Sequence, residues 1–259
     1  MGTICITGSA SGIGAATKAR LESKGHRVIG VDLHDADVCA DLSHVEGRAA
    51  AVAGVVELCG GVLDGLLPGA GLANPHPNER IAAVNFFGAV AVAEGLRPAL
   101  AKGTNPAVVV ISSNSTTMMP VSDLSVIDLF LAGDEAAACT RVGDEAYWNS
   151  KLALAWWMRA KAITPEWIGA GIRLNAIAPG VTETNMTLPL LVLESVREVM
   201  ASLPIPMGRW GRPEEIASVI DFLLGPDAGY IIGQTLFVDG GTDAFLQPRG
   251  YPVPLTLPG

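Results

Sequence analysis

A phenol and an ammonium four residues apart, three glycines in one short turn, and a carboxylate at the end of an apolar run are the groups whose types and spacing could do chemistry. Tyr147 and Lys151 lie in a segment of helical pattern that starts at Ala146, so they share one face and stand one turn apart. By itself, a Tyr–Lys pair at this spacing is more often two packing neighbours than a reacting pair. Gly8, Gly12 and Gly14 lie between a β-branched apolar run, Thr3 to Thr7, and a helical pattern carrying Ile13, Ala16, Thr17 and Leu21. A strand-to-helix turn offers unsatisfied N–H groups at the positive end of a helix dipole, and glycine lets a ligand approach the backbone closely. That suits a pyrophosphate, although a tight turn without a ligand carries the same signature. Asp32, eighteen residues after Gly14, weighs for the ligand: a carboxylate there receives adenosine ribose hydroxyls and repels a 2′-phosphate. Neither Ser9-Ala10-Ser11 nor Leu33-His34 offers an Arg or Lys to hold such a phosphate, so NAD is favoured over NADP.

The elements that must position these groups follow from the apolar pattern. Strands are predicted at Thr3–Thr7, Arg27–Val31, Gly61–Leu67, Ala107–Ser113, Ile172–Ile177 and Gln234–Asp239. Between them lie helices from Ile13 to a left-handed cap at Gly25, from Val45 to Leu58, from Asn78 to Leu100, from Ala146 towards Thr164-Pro165, and from Pro213 to Leu224. This alternation predicts an α/β fold, a doubly wound parallel sheet with helices on both faces, as a single domain over residues 1–259. Several polar or small residues fall at predicted strand ends: Asp41-Leu42, Pro68-Gly69-Ala70-Gly71, Ser112-Ser113, and Pro179-Gly180 followed by Thr182 and Thr184. Asn85 sits among apolar neighbours within the long helix, where its amide needs partners.

Two segments stand apart. Residues 114–146 exceed an ordinary connection and read as a helical insertion, with Ser122-Asp123 capping Leu124–Leu131 and Asp134 capping Glu135–Arg141. It is expected to form a wall of a substrate pocket, an oligomer contact, or a packed excursion. Residues 185–207 are largely apolar and read as a lid over an apolar substrate, or as an ordinary amphipathic helix. The tail after Gly241 carries Pro248, Pro252, Pro254 and Pro258 and is expected to be extended, either packing over a neighbouring active site or fraying.

Composition narrows the partners. A net charge of −9 argues against nucleic acid and anionic membrane surfaces, and no apolar run reaches about 18 residues. The N-terminus reads as a core strand without the basic flank of a signal peptide. Cys5, Cys39, Cys59 and Cys139 show no metal-ligand spacing, so no metal is expected, and they read as small hydrophobes or free thiols of a reducing cytoplasm.

Taken together, Thr7-Gly8-x3-Gly12-x-Gly14, Asp32, Asp41, Ala70-Gly71, Asn85, Ser113, Tyr147-x3-Lys151, Pro179-Gly180 and Val238-Asp239-Gly240-Gly241 resemble the short-chain dehydrogenase/reductase family. The resemblance runs from Thr3 to about Thr242, each motif in order at its expected strand or helix end. Within the family, the insertion and the Ile-Ser-Ser, Pro-Gly-x-Thr-Glu-Thr and Gly-Gly-x-Asp-Ala segments look most like those of bacterial hydroxysteroid dehydrogenases. The resemblance implies a Rossmann-type fold, NAD as cofactor and a homo-oligomer, dimer or tetramer, of the kind the family pairs through the long helices before and within the catalytic region. Because the insertion is placed to obstruct one of those faces, a dimer through the last helix and strand is preferred, in the cytoplasm. The resemblance implies Asn85, Ser113, Tyr147 and Lys151 as the catalytic set. It implies cofactor contacts from Gly8, Ser11, Gly12, Ile13, Gly14, Asp32, Leu33, Asp41, Leu42, Ala70, Gly71, Tyr147, Lys151, Pro179, Gly180, Thr182 and Thr184.

In those roles Ser113 orients the substrate oxygen, Tyr147 takes its proton, and Asn85 holds a water linking Lys151 to solvent. A phenol with a reference pKa of about 10 needs nearby positive charge to act near neutrality, and Lys151 and the nicotinamide are expected to supply it. One departure is Pro68-Gly69-Ala70-Gly71 in place of the family's Asn-Asn-Ala-Gly, which removes side-chain hydrogen bonds that would brace the strand. The expected function is NAD-dependent interconversion of a secondary alcohol and ketone on a small but bulky apolar substrate such as a hydroxysteroid, in a pocket lined from the insertion, Trp148 and the lid. The alternatives are a reductase of a 3-oxoacyl thioester or small cyclic ketone, and a non-enzymatic NAD-sensing module.

Overall fold

Seven parallel strands form one sheet in the order β3-β2-β1-β4-β5-β6-β7, with β1 Thr3–Thr7, β2 Arg27–Asp32, β3 Val38–Cys39, β4 Gly65–Pro68, β5 Ala107–Ile111, β6 Arg173–Pro179 and β7 Thr235–Val238. The computed structural model describes residues 1–188, 194, 198 and 202–250; much of the expected lid and the end of the tail lie outside them. The tail expected to be extended instead begins as a short helix over Thr242–Leu246, whose first turn is held by Asp239 accepting from the Gly241 and Asp243 N–H groups. The strands are continuous apolar runs because helices cover both faces, and alternate residues feed two cores. Cys5, Ile29, Leu66, Val108 and Val110 face one core, while Ile4, Ile6, Leu67, Val109 and Ile111 face the other.

The first core is covered by α2 Val45–Leu58, by a continuous helix made of α3 Asn78–Ala82, a π-helical turn Ala83–Gly88 and α4 Ala89–Leu100, and by α8 Ala146–Ala162. The second is covered by α1 Gly12–Ser23 and α9 Pro213–Leu224, which pack on each other and are clasped by Arg20 and Lys24 on Asp221. The helix Asn78–Leu100 is long and apolar enough to cross a membrane, but 67% of its most apolar window is buried inside the fold.

The strand order reverses at β1, whose neighbours are β2 on one side and β4 on the other. In open parallel sheets a crevice opens at such a point beyond the carboxyl ends of the strands, and there the chain places its glycine turn. Several predicted boundaries shift, and the strand predicted over Ala107–Ser113 ends at Ile111. The third predicted strand starts at Gly65 because Gly60 and Gly61, with φ of 62° and 74°, still belong to the turn that ends α2. The strand predicted to end at Ile177 continues to Pro179, which pairs with Val238 at the sheet's edge strand.

The insertion holds α5 Ser115–Met118, α6 Leu124–Ala132 and α7 Glu135–Arg141, with Asp123 and Asp134 accepting the N-cap hydrogen bonds. It is built into the first core. Val126, Ile127, Phe130 and Ala138 are buried, and Phe130 meets Phe86 edge-on and stacks with Phe87 at 5.4 Å. Buried Arg48 of α2 donates to both carboxylate oxygens of Glu135, at 2.7 and 2.6 Å, and to the Ala83 carbonyl at 3.1 Å. One guanidinium thus ties the insertion to the start of the π-helical turn.

Candidate active site

The glycine turn has the shape its spacing predicts. Gly8 and Gly12 adopt φ of 73° and 52°, and a Cβ on Gly14 would lie 1.9 Å from the Gly8 carbonyl, so α1 can start this close to β1 only with glycine there. Beside it opens a cavity of about 330 Å³, within the usual range for small-molecule sites. Gly8, Ser11, Gly12, Ile13 and Gly14 form its floor. Asp32, Leu33, Asp41 and Leu42 line the end beyond β2 and β3. Ala70 and Gly71 line the middle, after β4. Pro179, Gly180, Thr182 and Thr184 close it from the loop after β6, and a Cβ on Gly12 would touch the Thr184 side chain at 3.4 Å. Asp32 accepts from the Ala10 N–H at 2.9 Å and from its neighbour Leu33 at 2.7 Å, which fixes the carboxylate against the glycine turn.

At the other end Ser113, Tyr147 and Lys151 line the same cavity. Ser113 follows β5, and Tyr147 and Lys151 face it from α8. The nearly buried Lys151 donates from Nζ to the Ile111 carbonyl at 2.9 Å, and Ser112 Oγ donates to the Lys151 carbonyl at 3.0 Å, locking α8 to the end of β5. Burial pulls the Lys151 ammonium down to about 8. Burial pushes the Tyr147 phenol up, opposed by a hydrogen bond with Ser113. The Lys151 Nζ lies 6.0 Å from the centre of the Tyr147 ring and does not reverse that shift, so the lowering expected from the sequence is not achieved by the protein's own groups.

Asn85 is fully buried in the π-helical turn and does not line the cavity among the described residues. Its Oδ1 accepts from the Leu72 N–H at 2.7 Å and its Nδ2 donates to the Leu72 carbonyl at 2.9 Å. The amide expected to hold a water is committed to the loop after β4. That loop is also held by Thr7 Oγ1, which accepts from the Ala70 N–H at 3.0 Å. Thr7 and Asn85 therefore supply bracing that the missing asparagines do not. A Cβ on Gly71 would lie tightly against Asn85 Oδ1 at 3.3 Å and in ordinary contact with Lys151 Nζ at 3.5 Å, so the loop packs directly against both groups.

The insertion contributes none of the described lining residues, and Trp148 donates to the Pro120 carbonyl at 3.0 Å. Val126, Ile127, Phe130 and Ala138 of the insertion are packed in the first core, while Leu124 and Leu131 stay exposed. Of the expected lid, Asn185, Met186 and Thr187 do line the cavity. Leu72, Arg80 and Val84 also line it and were missed. They come from a loop and from the long helix, where no local motif marks them. The late Asp239-Gly240-Gly241 motif holds the cavity wall from behind: a Cβ on Gly180 would strike Asp239, and Met207 donates its N–H to the Gly240 carbonyl at 3.0 Å. Among the described residues there is no cluster of ligating side chains for a metal, and the four cysteines are free.

The chain is similar to known proteins in sequence and in fold. The short chain dehydrogenase family matches residues 2–126, and the family described as enoyl-(acyl carrier protein) reductase matches residues 131–243. The chain is 42% identical to the 3-alpha-hydroxysteroid dehydrogenase/carbonyl reductase of Comamonas testosteroni over 97% of this chain and 100% of the relative. The crystal structure of the 3-alpha-hydroxysteroid dehydrogenase from Pseudomonas sp. B-0831 complexed with NADH superposes with a TM-score of 0.92 at 42% identity, covering 96% of this chain and 100% of the other. A 3-oxoacyl-[acyl-carrier-protein] reductase of Thermotoga maritima is 30% identical over 93% of this chain and 97% of the relative.

Proposed function

Since the chain belongs to the short-chain dehydrogenase/reductase family, we propose how its site works and on what. It is an oxidoreductase that interconverts a secondary alcohol and a ketone with NAD. The glycine turn, which has no room for a Cβ at Gly14, and the Asp32 carboxylate held beside it fit that dinucleotide. When bound, NAD supplies the hydride acceptor and a positive nicotinamide ring.

The observation that carries the reading is the convergence of Ser113, Tyr147 and Lys151 on one end of the glycine-turn cavity. Ser113 holds the substrate oxygen beside the Tyr147 hydroxyl. Tyr147 takes the hydroxyl proton as the alcohol is oxidised and returns it in reduction. Lys151, protonated at neutral pH because its value stays near 8, favours the phenolate. We assign Asn85 to holding, through Leu72, the loop that lines the cavity beside Lys151.

The substrate is a bulky apolar alcohol, for which a 3α-hydroxysteroid is our first choice. The 42% identity to two proteins bearing that activity in their names supports it, as do Leu72 and Met186 in the wall. Incubation with NAD and a panel of 3α-hydroxysteroids and alicyclic alcohols tests this by growth of NADH absorbance. No turnover with any of them, together with NADPH-dependent reduction of a 3-oxoacyl thioester, contradicts it. We also propose a homodimer through the exposed edge of β7 and α9, supported by Phe237 and Phe222, 37% and 42% exposed there, and a cytoplasmic location, consistent with free thiols.

A further inference from the structure

The guanidinium of Arg48, in the first turn of α2, joins three parts of the chain that lie far apart in sequence. Its Nε donates to the Leu42 carbonyl at 2.8 Å, and its Nη2 donates to the Ala83 carbonyl at 3.1 Å. Nη1 and Nη2 grip the two carboxylate oxygens of Glu135, in the first turn of α7, at 2.7 and 2.6 Å. Leu42 lines the cavity, and Ala83 opens the π-helical turn whose next residue, Val84, lines it too. The loop and the turn are in contact: a Cβ on Gly88, at the end of the turn, would lie 3.1 Å from the Leu42 carbonyl. The insertion also touches α3, where Cys139 Sγ donates to the Glu79 carbonyl at 3.5 Å and Asn78 donates to Asp144 at 3.1 Å, but those bonds are exposed. The Arg48 side chain is only 7% exposed, so water does little to balance its charge, and the Glu135 carboxylate does so instead.

Resting on the NAD reading, we propose that Arg48 and Glu135 are positioning residues for the dinucleotide, through which the insertion sets cofactor affinity without lining the cavity. Glu135 fixes the guanidinium by a two-point fork. The remaining N–H groups then fix the Leu42 carbonyl and the first carbonyl of the π-helical turn, and with them the spacing between Leu42 and Val84. Removing the carboxylate leaves a buried charge uncompensated, so the guanidinium turns towards solvent and releases both carbonyls. The wall is then no longer shaped before the ligand arrives, and binding must first order it, which weakens affinity.

Equilibrium binding of NADH, read by nicotinamide fluorescence, tests this when set beside urea unfolding. The proteins are wild type, Glu135→Gln, Arg48→Met and the double variant Arg48→Met/Glu135→Leu. The Kd for NADH is expected to rise about threefold in Glu135→Gln and about tenfold in Arg48→Met. The double variant carries no uncompensated charge and regains the unfolding midpoint lost in Arg48→Met. It still has no donor for the Leu42 and Ala83 carbonyls, so its Kd stays about tenfold above wild type. A pair that only holds the fold together gives another pattern. Unchanged Kd in Glu135→Gln, or a Kd that recovers with the midpoint in the double variant, overturns the proposal while leaving NAD as cofactor. Should Arg48→Met fail to fold, Glu135→Gln and the double variant decide by the same two criteria. Wild type that fails to bind NADH overturns the cofactor reading and this proposal with it.

Discussion

The side-chain amide of Asn85 is bonded at both ends to one residue, Leu72, accepting its N–H at 2.7 Å and donating to its carbonyl at 2.9 Å. A buried amide thus does for an irregular loop what a neighbouring strand does for a regular one. It sets the loop that keeps Gly71 beside Lys151.

Asn85→Ala leaves the Leu72 backbone groups without those partners and is expected to cost about 2 kcal/mol of stability. Because the loop lines the cavity, the Kd for NAD should rise together with the loss of turnover. Urea unfolding and NADH binding check both. A variant that loses turnover with unchanged stability and cofactor affinity would restore the water-holding role to the amide.

Lys151 carries a linked pH effect. In the unfolded chain it holds its proton up to the ordinary lysine value, whereas burial makes the folded chain release it above about 8. The penalty for a buried ammonium is therefore complete below about pH 8 and fades as pH rises towards the ordinary value. Its size is about 3 kcal/mol, partly offset by about 1 kcal/mol from the hydrogen bond to Ile111. Lys151→Met should then be about 2 kcal/mol more stable than wild type at pH 7, with the advantage gone by about pH 10, and inactive at both. Urea unfolding at the two pH values measures it; a variant less stable at pH 7 contradicts it.

The fold was legible where burial leaves a periodic trace. Strands covered on both faces appear as unbroken runs such as Val108 to Ile111, and Asp123 and Asp134 mark their helices by capping chemistry. The two-residue β3 left no trace because pairing alone, without a run of apolar residues, defines it. The same division holds in the site. Gly8, Asp32 and Gly180 sit at or directly after strand ends, where turn chemistry restricts residue type. Arg80, Leu72 and Val84 join the cavity only through the packing of the long helix. The insertion's helices were readable, but their destination depended on Arg48 and Phe87, far away in sequence.

Asp32 should decide between dinucleotides. Replacing it with Ser and the exposed Leu33 with Arg removes the repulsion and adds a cation at the ribose end. The ratio of kcat/KM for NADP over NAD is expected to rise about a hundredfold, or about 3 kcal/mol. Steady-state kinetics with both cofactors check this, and a double variant that keeps the wild-type preference would place the ribose elsewhere.

The central claim is that Tyr147 moves the proton in an NAD-dependent oxidation carried out in the cavity beside the glycine turn. The most direct test is Tyr147→Phe, assayed for turnover of a 3α-hydroxysteroid and for NADH affinity. The phenol has no structural partner in the described residues beyond Ser113, so removing its oxygen should leave the fold and the cofactor site intact. A fall in kcat of about a thousandfold or more, with the Kd for NADH within about twofold, is the predicted result. Turnover that survives the substitution would contradict it.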